Sequence, residues 1–264
     1  MRQIFPLGGL PAGAGADGGG GGAGELSDAD LAALYAYPEG VRTVRANMVM
    51  SVDGAASLAG RSGGLSSPGD RRVFALLRGL ADVVVAGAGT VRAEHYKPAR
   101  PAGLEEAWPG LRAGRPATPP IAVVTRRLDL DPEDPLFTSA PPHARTIVIT
   151  SGLAPGERVA SFDGRADVIV ADTDRVDLET AVGALAARGY QRILCEGGPH
   201  LIGDLTAAGL LGELCVTVSP LLAGPGPGRI SAAMGLTEEE TARPLRLAHV
   251  LHEDGFLFCR YGRA

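Results

Sequence analysis

RANMVMSVDG (residues 45–54) and GRSGGLSSPGDRRVFALLRGLADVVVAGAGTVRAE (residues 60–94) alternate strand, glycine turn, helix, strand and glycine turn. Val44 to Val52 reads as the first strong strand. Ser67-Pro68 opens a helix, with serine able to cap free amides and proline pre-set for the first turn. Val73, Phe74, Leu76, Leu77 and Leu80 then recur at helical spacing, and Gly79 is the expected terminator. Asp82 to Ala86 is a continuous apolar run, the mark of a strand covered on both faces. A second stretch, RILCEGGPHLIGDLTAAGL (residues 192–210), repeats the order of strand, glycines and helix.

Outward from these two stretches the same alternation continues. Strands are predicted at 121–125, 146–150, 167–171 and 213–220, and a helix at 177–188. Residues 97–119 read as a long surface excursion with a short helix at 105–108. Segments 245–251 and 256–261 flank Glu253-Asp254-Gly255 and predict an antiparallel hairpin with an exposed edge. The fold class is therefore α/β, a mixed and mainly parallel sheet flanked by helices and closed by the hairpin. Residues 1–24 are expected to be a flexible tail, since the glycine and alanine of 8–24 cannot bury enough apolar surface to offset ordering. Residues 25–40 carry a short helical extension, SDADLAALYAY, and 41–264 form the main domain. Ligands of such sheets lie outside the carboxyl ends of the strands. Gly87–Thr90 and Glu196–Gly198 both follow strands, so they point at one edge.

Composition narrows the function. The formal net charge of −5 argues against a general nucleic-acid binder, which needs a basic face. No run approaches the length of a membrane span, and no charged-then-apolar signal opens the chain. Three widely spaced cysteines are not a disulfide framework, so a reducing cytoplasm is expected. There is no CxxC pair and no HxE element, so no metal site is expected.

Three glycine motifs bear on chemistry. Gly13–Gly18 matches GxGxxG formally but has neither the strand nor the helix that gives the motif meaning. Gly60–Gly64 matches the serine-hydrolase elbow GxSxG, yet the strand before it is weak and the helix starts several residues late. Glu196-Gly197-Gly198-Pro199 is sharper, because a helix start presents free amides and positive potential to an anion. Arg61, Arg71, Arg72 and Arg78 read either as a phosphate-facing set or as a solvated helix face. Asp53-Gly54 reads as a turn.

Together these segments resemble the reductase domain of riboflavin biosynthesis, with its dihydrofolate-reductase-like fold, stand-alone actinobacterial type. The resemblance rests on N-x-x-x-S-x-D-G at 47–54 and on GRSGGLSSPGDR, LLRGLADVVVAGAGTVRAE, ILCEGGPHLIGDL and ELCVTVSPLLAG in that order. It implies NADPH-dependent reduction of the ribosyl group of 5-amino-6-(5-phosphoribosylamino)uracil, or a close relative, to ribityl. It also implies Ser66, Gly87, Gly89, Thr90, Gly197, Gly198 and Leu201 at the cofactor, with Thr125 and Arg126 at its 2′-phosphate. Asn47, Ser62, Arg78, Glu94 and Glu196 are implied at the substrate, with Glu94 the catalytic candidate for proton delivery. Lys97 or Arg100 is implied as a second phosphate contact. Asn47 departs from the lysine of many bifunctional members, and no deaminase motif is present. A homodimer is implied by the family. Two other readings stand beside this one: an NADPH-dependent pterin or specialised-metabolism reductase, and a cofactor-binding protein without turnover.

Overall fold

A computed structural model of the chain describes residues 1–5, 24–100, 104–226, 228–232 and 242–264. Its strands are β1 (Arg2–Phe5), β2 (Thr43–Ser51), β3 (Val83–Gly87), β4 (Ile121–Val124), β5 (Ile147–Thr150), β6 (Asp167–Val170), β7 (Arg192–Cys195), β8 (Leu211–Ser219), β9 (Leu245–Glu253) and β10 (Phe256–Arg263). Its helices are α1 (Asp28–Leu34), α2 (Pro68–Leu80), α3 (Ala88–Ala93), α4 (Leu104–Ala107), α5 (Pro135–Thr138), α6 (Gly156–Ala160), α7 (Leu178–Ala187) and α8 (Pro199–Ala207). The strands form one sheet in the order β1-β9-β10-β8-β2-β7-β3-β4-β5-β6. From β8 to β6 every neighbouring pair is parallel, and β8, β10, β9 and β1 pair antiparallel. The mixed, mainly parallel sheet with a closing hairpin is as the sequence predicts.

Two apolar layers cover the sheet. Leu31 of α1 and Leu76 and Leu77 of α2 pack with Val84, Leu194 and Phe258 on one face. Ala181 and Leu185 of α7 and Leu201 and Leu205 of α8 pack with Val83, Val85 and Ile193 on the other. The VVVAG of β3 alternates between the two layers, which explains its unbroken apolar run.

The structure corrects several boundaries. Residues 2–5, expected in a flexible tail, form β1 and pair with β9, and Met1 is buried. The hairpin edge is thus covered, and β1 is the outer strand. The glycine run at 6–23 lies outside the described residues. Gly79 does not terminate α2; the helix runs to Leu80 and breaks at an extended Ala81. Its last carbonyls are taken by guanidinium groups from the 97–119 excursion. Arg112 Nη1 donates to Gly79 O at 2.9 Å and to Ala81 O at 2.6 Å, and Arg115 Nη1 donates to Leu80 O at 2.9 Å. Side chains can satisfy helix ends as well as glycine does. That excursion is partly buried: Trp108 packs inward and its Nε1 donates to Asp28 O at 2.9 Å. The helices α5 and α6, of 4 and 5 residues, are too brief to show a period in the sequence.

The helical extension is fastened by buried charge. Arg45 of β2 is fully buried, stacks on Tyr37 at 3.8 Å, and donates to Glu213 Oε2 at 2.6 Å and Tyr35 O at 2.6 Å. Arg260 of β10 donates to the other oxygen of Glu213 at 2.6 Å. His249 sits against Tyr35, ring to ring at 4.9 Å, and burial, then Arg260 and Arg45, push its imidazole down to about 4. It is a neutral packing group, not part of a site.

Candidate active site

The site begins where β3 and β7 end side by side. Glu196 N donates to Val85 O at 2.9 Å and Gly87 N donates to Gly197 O at 2.7 Å, so the two glycine turns are stitched together. Gly87 caps α3 and Gly198 caps α8, and neither cap offers a side-chain acceptor to the helix amides. The amides at the start of α8 are therefore open to an anion, with the helix dipole behind them. Gly197 has φ +86, a conformation that favours glycine, and a Cβ there would lie 3.0 Å from Met48 Sδ. A Cβ at Gly198 would lie 2.7 Å from Thr90 Oγ1, whereas one at Gly89 would meet nothing within 4 Å. The turn expected at Gly87–Thr90 is in fact the first turn of α3.

These turns form one wall of a cavity of about 970 Å³. Of the fourteen predicted site positions, eleven line this cavity: Asn47, Ser62, Ser66, Arg78, Gly87, Gly89, Thr90, Glu94, Glu196, Gly198 and Leu201. Gly197 sits between two wall residues. Thr125 and Arg126 do not line the cavity. They follow β4 on the same sheet edge, one strand beyond β3, where Thr125 N donates to Ile149 O at 2.9 Å and Arg126 is exposed. Lys97 and Arg100 also reach the wall.

Polar contacts divide the cavity into two clusters. In the first, Arg78 Nε and Nη2 donate to the two oxygens of Glu196, each at 2.7 Å, and Tyr96 Oη donates to Glu196 Oε2 at 2.7 Å. The Glu196 side chain is 2% exposed and that of Arg78 21%. Burial alone would lower the Arg78 pKa, but the Glu196 carboxylate outweighs it and holds the guanidinium protonated above its usual range. Burial, with Glu196 beside it, raises the Tyr96 phenol well above its ordinary value, so it stays a donor. In the second cluster, Ser62 N donates to Glu94 Oε1 at 2.7 Å, which leaves Oε2 for a ligand. Asn47 is buried in β2 at the cavity wall, and its amide makes no hydrogen bond among the described residues.

Sequence reasoning missed Tyr96, Asp70, Phe74 and His200, all on the wall. Tyr96 is turned inward by His95 at φ +51, which no local pattern announces. Asp53 does more than form a turn: its carboxylate accepts from Ala223 N at 3.1 Å and Gly224 N at 3.0 Å. The elbow reading of Ser62 fails, since the residue precedes a single 3₁₀ turn and no histidine is hydrogen-bonded to it among the described residues. No group of three or more His, Cys, Asp or Glu able to hold a metal occurs among the described residues.

Several known proteins are similar to this chain. A 2,5-diamino-6-ribosylamino-4(3H)-pyrimidinone 5′-phosphate reductase of Methanothermobacter thermautotrophicus is 32% identical over 211 residues, 79% of this chain and 93% of that protein. The same-named reductase of Archaeoglobus fulgidus is 30% identical over 180 residues, 67% of this chain and 80% of its own. A pyrimidine reductase-like protein of Corynebacterium diphtheriae superposes with a TM-score of 0.78 at 28% identity, covering 90% of this chain and 98% of that one. The RibD C-terminal domain family model matches residues 42–253, and the chain belongs to that family.

Proposed function

We propose that the chain reduces a phosphoribosylamino-pyrimidine to its ribitylamino form, with NADPH as reductant. What carries the reading is the joining, in one cavity, of an open α8 N-terminus with the buried Arg78–Glu196–Tyr96 cluster. The relatives in the family are named as reductases of such a substrate. The glycine cradle fits a dinucleotide, because the space beside Gly89 and Gly198 would be narrowed by any side chain. When bound, the nicotinamide supplies the hydride. The chain supplies orientation, charge and a proton. Amides of α8 and the Thr90 hydroxyl hold the pyrophosphate. Lys97 and Arg100 receive the substrate phosphate, joined by Arg78, whose Nη1 is not committed to Glu196. Glu94 Oε2 stands as the proton carrier, held in place by the Ser62 amide.

The test follows NADPH absorbance with purified protein and the 2-amino or the deaminated phosphoribosylamino-pyrimidine, with dihydrofolate in parallel. Oxidation with a phosphorylated pyrimidine alone is expected. Oxidation with dihydrofolate alone, or none, would overturn the reading.

Thr125 and Arg126 are proposed to meet the 2′-phosphate where the cofactor runs past β4. Arg126→Ala should lower the NADPH-over-NADH preference in kcat/KM by about tenfold, the worth of one charge-assisted contact. An unchanged ratio removes Arg126 from the cofactor site.

The chain is proposed to act as a homodimer in the cytoplasm. Leu214 and Val218 of β8, Leu257 of β10 and Val250 of β9 stand half-buried on the sheet face opposite Arg260, a surface suited to a second copy. Cys195, Cys215 and Cys259 are free and buried, which suits a reducing compartment. No described helix is long and apolar enough to cross a membrane.

A further inference from the structure

α1 and α2 begin alike, with a serine cap and an aspartate three residues on, yet they use the aspartate differently. In α1 the pair is reciprocal: Asp30 N donates to Ser27 Oγ at 3.1 Å, and Ser27 N donates to Asp30 Oδ2 at 3.1 Å. In α2 only half of the pair forms. Asp70 N donates to Ser67 Oγ at 3.0 Å, but the Asp70 carboxylate accepts from Ser66 Oγ at 2.6 Å. Asp70 is 8% exposed and lines the cavity, and its Oδ1 has no partner among the described residues. A carboxylate oxygen with spare acceptor capacity on a cavity wall can take a hydrogen bond from a ligand donor.

Asp70 is also the end of a stripe. Asp70, Phe74 and Arg78 lie four residues apart on α2, all line the cavity, and span about 12 Å at the helical rise. The order along the stripe is carboxylate, aromatic ring, guanidinium, with Arg100 also on the wall. A pyrimidine joined through a five-carbon chain to a phosphate has a matching order of groups: ring donors at one end, a polyol between, an anion at the other.

We propose that Asp70 reads the donor edge of the pyrimidine and selects the 2-amino-pyrimidin-4-one over the deaminated dione. This rests on the function proposed above. In the 2-amino form, the exocyclic N–H and the ring N3–H point the same way and meet the two oxygens of one carboxylate. Asp70 Oδ2 keeps its bond from Ser66, because a carboxylate oxygen accepts two. In the dione a carbonyl oxygen replaces the amino group and would face the carboxylate, lone pair against lone pair. The preference orders the chemistry. Reduction comes first, and a separate hydrolytic deamination, in which water oxygen replaces the 2-amino group and ammonia leaves, acts on the product.

The test measures NADPH oxidation with both pyrimidines for the wild type, Asp70→Asn and Ser66→Ala, with NADPH affinity and thermal unfolding recorded for each. The wild type should favour the 2-amino substrate. Asp70→Asn should lower kcat/KM for it about 10- to 100-fold, mainly through KM, and narrow or reverse the preference, since its amide N–H₂ can donate to the C2 carbonyl. NADPH affinity should hold. Ser66→Ala, which removes only the hydroxyl behind the carboxylate, should shift the preference the same way by less. Equal use of both pyrimidines by the wild type, or an equal loss on both in Asp70→Asn, overturns the role of Asp70 while leaving the reductase assignment standing. Turnover of neither pyrimidine overturns both.

Discussion

Gly198→Val is expected to lose NADPH affinity by about 10- to 100-fold, the worth of one charge-assisted phosphate contact, while the chain stays folded. The backbone at Gly198 is not the obstacle, since φ −70 and ψ −172 suit any residue. The obstacle is space. The first added carbon would lie 2.7 Å from Thr90 Oγ1, at a point where both residues line the cavity, and valine adds two methyl groups to it. Thr90 can swing its hydroxyl aside, so the fold survives, but the route to the α8 amides is filled. Gly89→Ala is the companion measurement. Its Cβ would touch no protein atom within 4 Å, so any fall in affinity there reports a ligand in the open space. Affinity is read by titration of cofactor fluorescence, and folding by circular dichroism. Wild-type affinity in Gly198→Val would place the pyrophosphate elsewhere.

The strands and the glycine edge were legible in the sequence for a physical reason. β3 is buried on both faces and reads as an unbroken apolar run that ends in glycine, and its parallel neighbour β7 reads as a short apolar run, Ile193 to Cys195, followed by Glu196 and two glycines. Parallel order then forces both ends to one side, which is why Gly87 and Gly198 could be placed together without a structure. β1 was hidden because RQIF is short, and only one of its four residues is more than slightly buried. Its partner, β9, lies more than two hundred residues away, and no local pattern encodes that pairing. Arg112 and Arg115 were hidden for a related cause. Charge in a proline- and glycine-rich stretch reads as solvated surface, but here it completes the end of α2.

Within the site, positions were more legible than partnerships. Arg78 and Glu196 were both expected at the substrate, and the sequence did not suggest that they bind each other across 118 residues. Tyr96 and Asp70 were missed because each follows a motif whose other residues explained it fully: Tyr96 trails Glu94, and Asp70 looks like a routine first-turn aspartate. Only the contrast with Asp30, which does close its cap, separates the two uses.

Arg78→Met should show the second large effect, on stability and turnover together. Removing one partner of a buried ion pair strands the other, at a cost of about 3–5 kcal/mol. The Arg78 side chain is a fifth exposed and Tyr96 still donates to Glu196, so the loss should fall near the lower end, about 3 kcal/mol in urea unfolding. Turnover of a phosphorylated pyrimidine should fall at least about 100-fold in kcat/KM, since the proposed charge-assisted phosphate contact and the placement of Glu196 would be lost at once. Stability and chemistry are separable by adding Glu196→Gln. The double variant has no stranded carboxylate, so much of the lost stability should return, because neighbours in one network do not add. Activity should not return, because nothing replaces the guanidinium. If the double variant regained activity, Arg78 would serve only to neutralise Glu196, and the substrate phosphate would belong to Lys97 and Arg100 alone.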